Sequence, residues 1–295
     1  MSLPPRARMA VPEKCKVVAE GCCNHMGDID LALKMTDIAF LSGADYIKWQ
    51  KRIPEESVKK EVLNNPHPNS FHSYGNTYLD HRKSLEFTVD QHALLKKHAE
   101  TVGIGYSTSV WDLPSAKEMI HLCDDFIKIP SAANFDFELI EWLLDNYHGQ
   151  VHISLGMTGP QEREKIFRRF YEFNKKIVYY HTTTIYPCEF EFLYLGEIKD
   201  LAERFHNVGY SGHHRGIAVD ILAYALGATW IERHFTLDRT FKGTDHAASL
   251  EPRGLELLCR DLKASYLSFN KKVLMPEGEK ISEEKLRTPN GQKPE

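Results

Sequence analysis

The 295-residue chain has no CxxC pair, no glycine-rich phosphate loop after its first apolar run, no basic excess and no apolar stretch of bilayer length. Each absence closes off a class. The six cysteines, Cys15, Cys22, Cys23, Cys123, Cys188 and Cys259, follow neither disulfide-scaffold nor zinc-motif spacing, so reduced and mostly buried thiols are expected. Lys and Arg number 37 against 41 Asp and Glu, a net charge of −4, which argues against a nucleic-acid partner. Without ~18 consecutive apolar residues, no helical membrane span is expected. Met1 to Ala10 carries two arginines but no apolar core or small-residue cleavage site, unlike a secretory signal. A cytoplasmic globular protein is the expectation.

What is present is repetition of an element pair. Short β-branched or aromatic runs fall at Lys16–Glu20, Asp45–Gln50, Gly103–Ser107, Asp125–Pro130, Val151–Leu155, Ile177–Thr182, Val208–Ser211 and Thr229–His234. Between them lie stretches with apolar residues near i, i+3, i+4 and i+7, such as Leu31–Ser42, Thr88–Val102 and Phe135–Asn146. Eight strand–helix pairs predict a closed parallel (β/α)₈ TIM barrel, an α/β fold of ~250 residues. An open doubly wound sheet would want GxGxxG after the first strand, where Gly-Cys-Cys-Asn-His stands instead. The expected division is a flexible leader over 1–14, one barrel over 15–272 and a polar, irregular tail over 273–295. The connection after Gln50, rich in Pro, Asn, His and Tyr up to Ser84, is too long for a plain barrel turn and is expected to serve the active site.

Barrel catalytic groups gather at strand C-termini, and here those ends are polar. Glu20 closes the first strand, Lys48 and Gln50 share a parity on the second, and Ser107, Thr108 and Ser109 follow the third. Lys128 and Ser131 mark the fourth, Ser211 and His213 the seventh, and His234 the eighth. With no matching strand carboxylates evident, two lysines inside a barrel call for a bound anion, with hydroxyls as further donors. His213 and His234 end consecutive strands, an arrangement suited to a divalent transition ion, whereas His214 is expected to face away. Asp45 with Lys48, and Glu232 with Arg233, read equally well as rim ion pairs.

Taken together, these residues resemble the N-acetylneuraminate (sialic acid) synthase family and its nonulosonic acid relatives. The resemblance is carried by Ala19-Glu20, Asn24-His25-x-Gly27-Asp28, Lys48-x-Gln50, Ile127-Lys128-Ile129-Pro130-Ser131, Gly209-Tyr210-Ser211-x-His213, Ile231-Glu232-x-His234 and Gly243-x-Asp245-His246. It implies condensation of phosphoenolpyruvate (PEP) with the aldehyde of an amino sugar, releasing phosphate. It also implies a divalent ion, typically Mn²⁺ with Mg²⁺ or Co²⁺ as alternatives, on His213 and His234. Lys48, Ser107, Thr108, Lys128, Ser131 and Ser211 match PEP-binding positions, Gln50, Tyr186 and Asp245 sugar-pocket positions, and Glu20 and Asp245 the acidic catalytic ones. A homodimer is the assembly the resemblance suggests.

Departures stand beside these matches. Ala133 replaces a common glutamate, Thr184 an asparagine, and Gly212 an aspartate. Typical bacterial members add a C-terminal antifreeze-protein-like domain, and this chain is expected to be the barrel alone. An aldolase with Lys128 as Schiff-base lysine, and a sugar-binding barrel without turnover, remain the alternatives.

Overall fold

The computed structural model describes residues 13–270, 272–288 and 291. Apart from Glu13 and Lys14, the expected leader lies outside the described residues. Eight strands form one closed parallel barrel in chain order: β1 (Lys16–Cys22), β2 (Tyr46–Lys51), β3 (Gly105–Val110), β4 (Phe126–Ile129), β5 (Gln150–Ser154), β6 (Ile177–His181), β7 (Val208–Gly212) and β8 (Trp230–His234). The helices are α1 (Ile29–Leu41), α2 (Pro54–Ser57), α3 (Lys60–Leu63), α4 (Tyr78–Ser84), α5 (Val89–Val102), α6 (Leu113–Met119), α7 (Phe137–Asn146), α8 (Pro160–Arg169), α9 (Gly196–Arg204), α10 (Ala218–Ala225), α11 (Pro252–Ser268) and α12 (Glu277–Leu286). The TIM-barrel expectation holds. No helix among the described residues is long and apolar enough to cross a membrane.

Alternation along each strand sorts the side chains into wall and lumen. On β2, Ile47 and Trp49 join the core beneath the helices, while Tyr46 and Lys48 face inward. Helix caps then set where strands begin. Thr88 opens α5 with a capping box to Gln91, and Gly103 closes it at φ +90°, the left-handed conformation that ends helices. Gly103 is therefore a cap rather than the first strand residue, and β3 begins two residues later than its composition suggests.

The lumen fills in two levels. Its lower level is apolar: Val18, Tyr46, Phe126, Val178, Tyr180 and Trp230 form a separate buried cluster. His152 stacks on Phe126 at 4.0 Å between ring centroids, and Trp230 meets Phe126 edge-on at 5.1 Å. Gly209 makes room for this packing, since a Cβ there would sit 2.5 Å from the Tyr180 ring. The barrel is thus plugged below, and a cavity opens toward the strand C-termini.

Two segments outside the plain strand–helix repeat carry helices of their own. The polar tail is not irregular throughout, because Pro276 leads into α12. The long connection after Gln50 contains α2, α3, a single-turn helix at Ser70–His72 and α4. The last opens with a capping box between Thr77 and Asp80.

Candidate active site

A cavity of about 250 Å³ opens at the C-terminal mouth of the barrel. Strand ends supply Glu20, Gln50, Ser109, Lys128, Ser211, Glu232 and His234 to its lining. The β2–α4 connection adds Arg52, Tyr74, His81 and Arg82, and the loop before α11 adds Thr244 and Asp245. Asn24 also lines the cavity, while it and His25 are fixed by structural contacts. Asn24 donates to the Phe235 carbonyl at 2.8 Å, and His25 stacks on Phe87 at 3.9 Å. Asp28 accepts from the Asp30 and Leu31 amides as the N-cap of α1.

Glu20, Lys128 and Glu232 line the floor of the cavity and form, with Lys48 behind them, a layer of four buried charges. Lys48 pairs with Glu20, donates to Ser109 Oγ at 2.6 Å and lies 3.6 Å from Glu232. Lys128 donates to Glu232 Oε1 at 2.7 Å, with its ammonium 4.3 Å from the centre of the Tyr180 ring. This corrects the expectation that the strand lysines lack carboxylate partners and so call for an external anion. Barrel closure brings β8 beside β1, and Glu232, three residues from the end of the strand sequence, turns out to face inward. The rim ion pairs fall with it. Adjacent strand residues face opposite ways, so Arg233 pairs outward with buried Asp220 at 2.5 Å, while Asp45 sits 3.6 Å from Lys14.

The two glutamates are tuned apart. Burial pushes the Glu20 carboxyl up, only partly offset by Lys48. For Glu232 burial acts the same way, but Lys128 and Lys48 together outweigh it and hold the group low. In Asp245, burial is outweighed by His234 and by hydrogen bonds from Thr244 and Cys22, so it also lies below the usual carboxylate range. Carboxylates held apart in this way within one cleft recur at acid–base sites.

Most expected residues reach the cavity. Gln50 donates to Glu20 Oε1 at 3.1 Å, Ser211 donates to Glu232 Oε1 at 3.2 Å, and Ser131 lies 3.0 Å from Ser154 Oγ. Tyr186 is exposed at the rim, its ring centroid 4.1 Å from that of His213. Lys48, Ser107 and Thr108 do not line the cavity, Lys48 being turned to Glu20, Ser109 and Glu232. Ser107 is spent beneath the lysine layer on the Phe126 carbonyl at 2.8 Å, and Thr108 faces the Tyr106 hydroxyl on the wall side. The shifted start of β3 puts Ser109 at the mouth instead.

His213 and His234 come together, with ring centroids 5.1 Å apart. His213 Nδ1 lies 2.9 Å from the Thr183 carbonyl, which fixes that nitrogen as the donor and leaves Nε2 a lone pair. His214 faces outward to Tyr210 and Arg233, as its parity requires. Ligand atoms of His234, Asp245 and Cys22 all lie within 4.8 Å of one another. His234 Nδ1 is buried without a hydrogen-bond partner. An orphaned imidazole nitrogen beside a carboxylate and a thiol fits a divalent ion, with the oriented His213 imidazole adjoining that group rather than within it.

Sequence reasoning missed Arg52 and Arg82, placed Ser109 at a strand end without giving it a role, and read Glu232 as a rim charge. Arg52 pairs with Glu86 at 2.7 Å and lies 4.2 Å over Trp111. Arg82 donates to Tyr78 Oη at 2.7 Å and has no carboxylate partner among the described residues. Inward parity with His234 was the available signal for Glu232; the arginines had none.

Residues 35–273 match the NeuB family model. The chain belongs to the NeuB family. This NeuB-family barrel is 36% identical over 251 residues to human N-acetylneuraminate-9-phosphate synthase, covering 84% of this chain and 69% of the relative. It is 32% identical over 255 residues to N,N'-diacetyllegionaminic acid synthase of Campylobacter jejuni, covering 85% and 76%. Among solved structures, the N-acetylneuraminic acid synthetase of Leptospira borgpetersenii, determined with citrate, aligns with a TM-score of 0.77 at 26% identity, covering 95% of this chain and 94% of that one. The resemblance stated from its motifs is thereby that of a family member.

Proposed function

We propose that this chain is a PEP-dependent nonulosonic acid synthase. It joins C3 of PEP to the aldehyde carbon of an amino sugar; water adds at C2, and phosphate leaves with its bridging oxygen. The observation that carries the reading is one cavity lined by Glu20, Lys128 and Glu232, with Lys48 paired behind them, and by His213, His234 and Asp245, in a chain of this family.

Each ammonium has three N–H donors, and Lys128 gives one to Glu232, leaving others for an oxyanion above it. Lys48 and Lys128, with Ser131 and Ser211, would hold the carboxylate and phosphate of PEP and stabilise charge as phosphate departs. Glu20, pushed up by burial, is the group we assign to proton transfer at the sugar or at the water adding to C2. Gln50, Tyr186 and Asp245 face the space left for the sugar, with Arg52, Tyr74 and Arg82 from the long connection as the selectivity elements.

His213, His234 and Asp245 would hold a divalent ion, for which Mn²⁺ is the first candidate. Such an ion, when bound, supplies Lewis-acid polarisation of the aldehyde oxygen.

The test is phosphate release from PEP across a panel of N-acyl mannosamines, other amino hexoses and their 6-phosphates, with divalent metal present and mass spectrometry of the product. Release that depends on both a sugar and a metal is expected. Absence of release throughout the panel refutes the synthase, and borohydride trapping of pyruvate on Lys128 would replace it with an aldolase.

A further inference from the structure

Cys22 occupies a backbone conformation that side chains rarely adopt. Its φ is +40°, in the left-handed region, where the register of β1 against β2 slips between Glu20 and Cys22. Glycine takes that region freely, so a cysteine there points to something its surroundings hold in place. The side chain is fully buried, and its sulfur lies within 4.8 Å of a ligand atom of both His234 and Asp245. The three residues come from three segments: the end of β1, the end of β8 and the loop before α11. The His234 side chain is 8% exposed, and its Nδ1, 3.9 Å from Asp245 Oδ2, has no hydrogen-bond partner. A buried, unpartnered nitrogen beside a thiol and a carboxylate is an imbalance that a cation resolves.

We propose that Cys22 is a sulfur ligand of the divalent ion at this mouth, completing a Cys22–His234–Asp245 set. The proposal rests on the metal-dependent reading above, with which it shares His234 and Asp245, and it adds the thiolate. Binding forms a metal–sulfur bond and releases the thiol proton. A thiolate among the ligands shifts the preference from Mn²⁺, the first candidate for the His213, His234 and Asp245 set without it, toward Zn²⁺ or Co²⁺. The neighbouring Cys23 is a built-in control. Its sulfur faces Arg52 at 3.6 Å and Gln50 at 3.7 Å, outside the set.

The experiment titrates the metal-stripped full chain with Co²⁺ and follows the near-ultraviolet spectrum. A sulfur-to-cobalt charge-transfer band that saturates at about one ion per chain is expected. Cys22→Ser should abolish the band and weaken Co²⁺ binding by about 10- to 100-fold or more, while Cys23→Ser keeps both. Cys22→Gly, which relaxes the backbone, should lose the band equally and guards against a folding defect in the serine variant. If the wild type retains Co²⁺ without the band, or Cys22→Ser keeps it, the sulfur ligand is refuted while a metal site on His213 and His234 survives. Failure to retain Co²⁺, Zn²⁺ or Mn²⁺ overturns both.

Discussion

The same strands build two unlike halves of one lumen. Val18, Tyr46, Phe126 and Trp230 pack the lower half without a charge among them, and two residues further along the same strands stand Glu20, Lys48, Lys128 and Glu232. A two-residue step preserves the inward face, so the difference is chemical and not geometric. Below, burial of aromatic area stabilises the barrel. Above, four charges have been taken out of water, where attraction rarely exceeds the desolvation penalty. The lower half holds the fold, and the upper half is retained for what it does to a substrate.

That division can be broken most forcefully at Lys128. Lys128→Met takes the nearer of two ammonium partners from buried Glu232, leaving only Lys48 at 3.6 Å, which should cost about 3–5 kcal/mol by chemical denaturation and remove turnover. Lys128→Met combined with Glu232→Leu should recover most of the stability and none of the activity. A double variant as unstable as the single one would mean that the ion layer holds the fold after all.

Phe126→Ala opens a cavity in the lower half and should cost about 3–5 kcal/mol, while the folded fraction retains PEP binding. Loss of PEP binding at full occupancy of the folded state would show the two halves to be one unit.

The pH dependence separates the halves by a smaller amount. His152 is fully buried, neither ring nitrogen has a partner, and burial, then Lys128, holds its pKa far below the ordinary value. A group whose protonated form is disfavoured by folding contributes no penalty above its unfolded pKa of about 6.5, and it draws stability down as pH falls below that. Stability should therefore decline below about pH 6.5, by up to ~1.4 kcal/mol per pH unit for this one proton. His152→Leu should flatten the slope by that share, and an unchanged slope would clear His152 of the effect.

The smallest effect is expected outside the barrel. Arg168 is 80% exposed beside Glu164, and Arg168→Ala should change stability by about 0–0.5 kcal/mol at ordinary salt. A larger loss would make surface pairs comparable to the buried layer.

How much of this was legible beforehand varies with the distance over which a residue's role is set. The eight strands were readable because β-branched runs and amphipathic helices are local patterns, and His213 and His234 followed from counting strand ends. Ser107 and Thr108 misled because Gly103, read as strand, is the left-handed cap of α5. Glu232 was misjudged because its partners, Lys48 and Lys128, lie 184 and 104 residues away (232 − 48 and 232 − 128) and meet it only across the closed barrel. Arg52 and Arg82 sit in a connection whose composition marked it as functional without saying which side chains turn inward.

By itself the chain determined its barrel, its family and the histidine pair at the mouth, since these depend on periodicity, spacing and motif. Only the tertiary structure decided that the lysines come already neutralised, that Glu20 rather than Asp245 is the carboxyl raised by burial, and that Cys22 lies against His234 and Asp245. Charge pairing, desolvation and ligand convergence are properties of groups brought together from distant segments, and no local pattern encodes them.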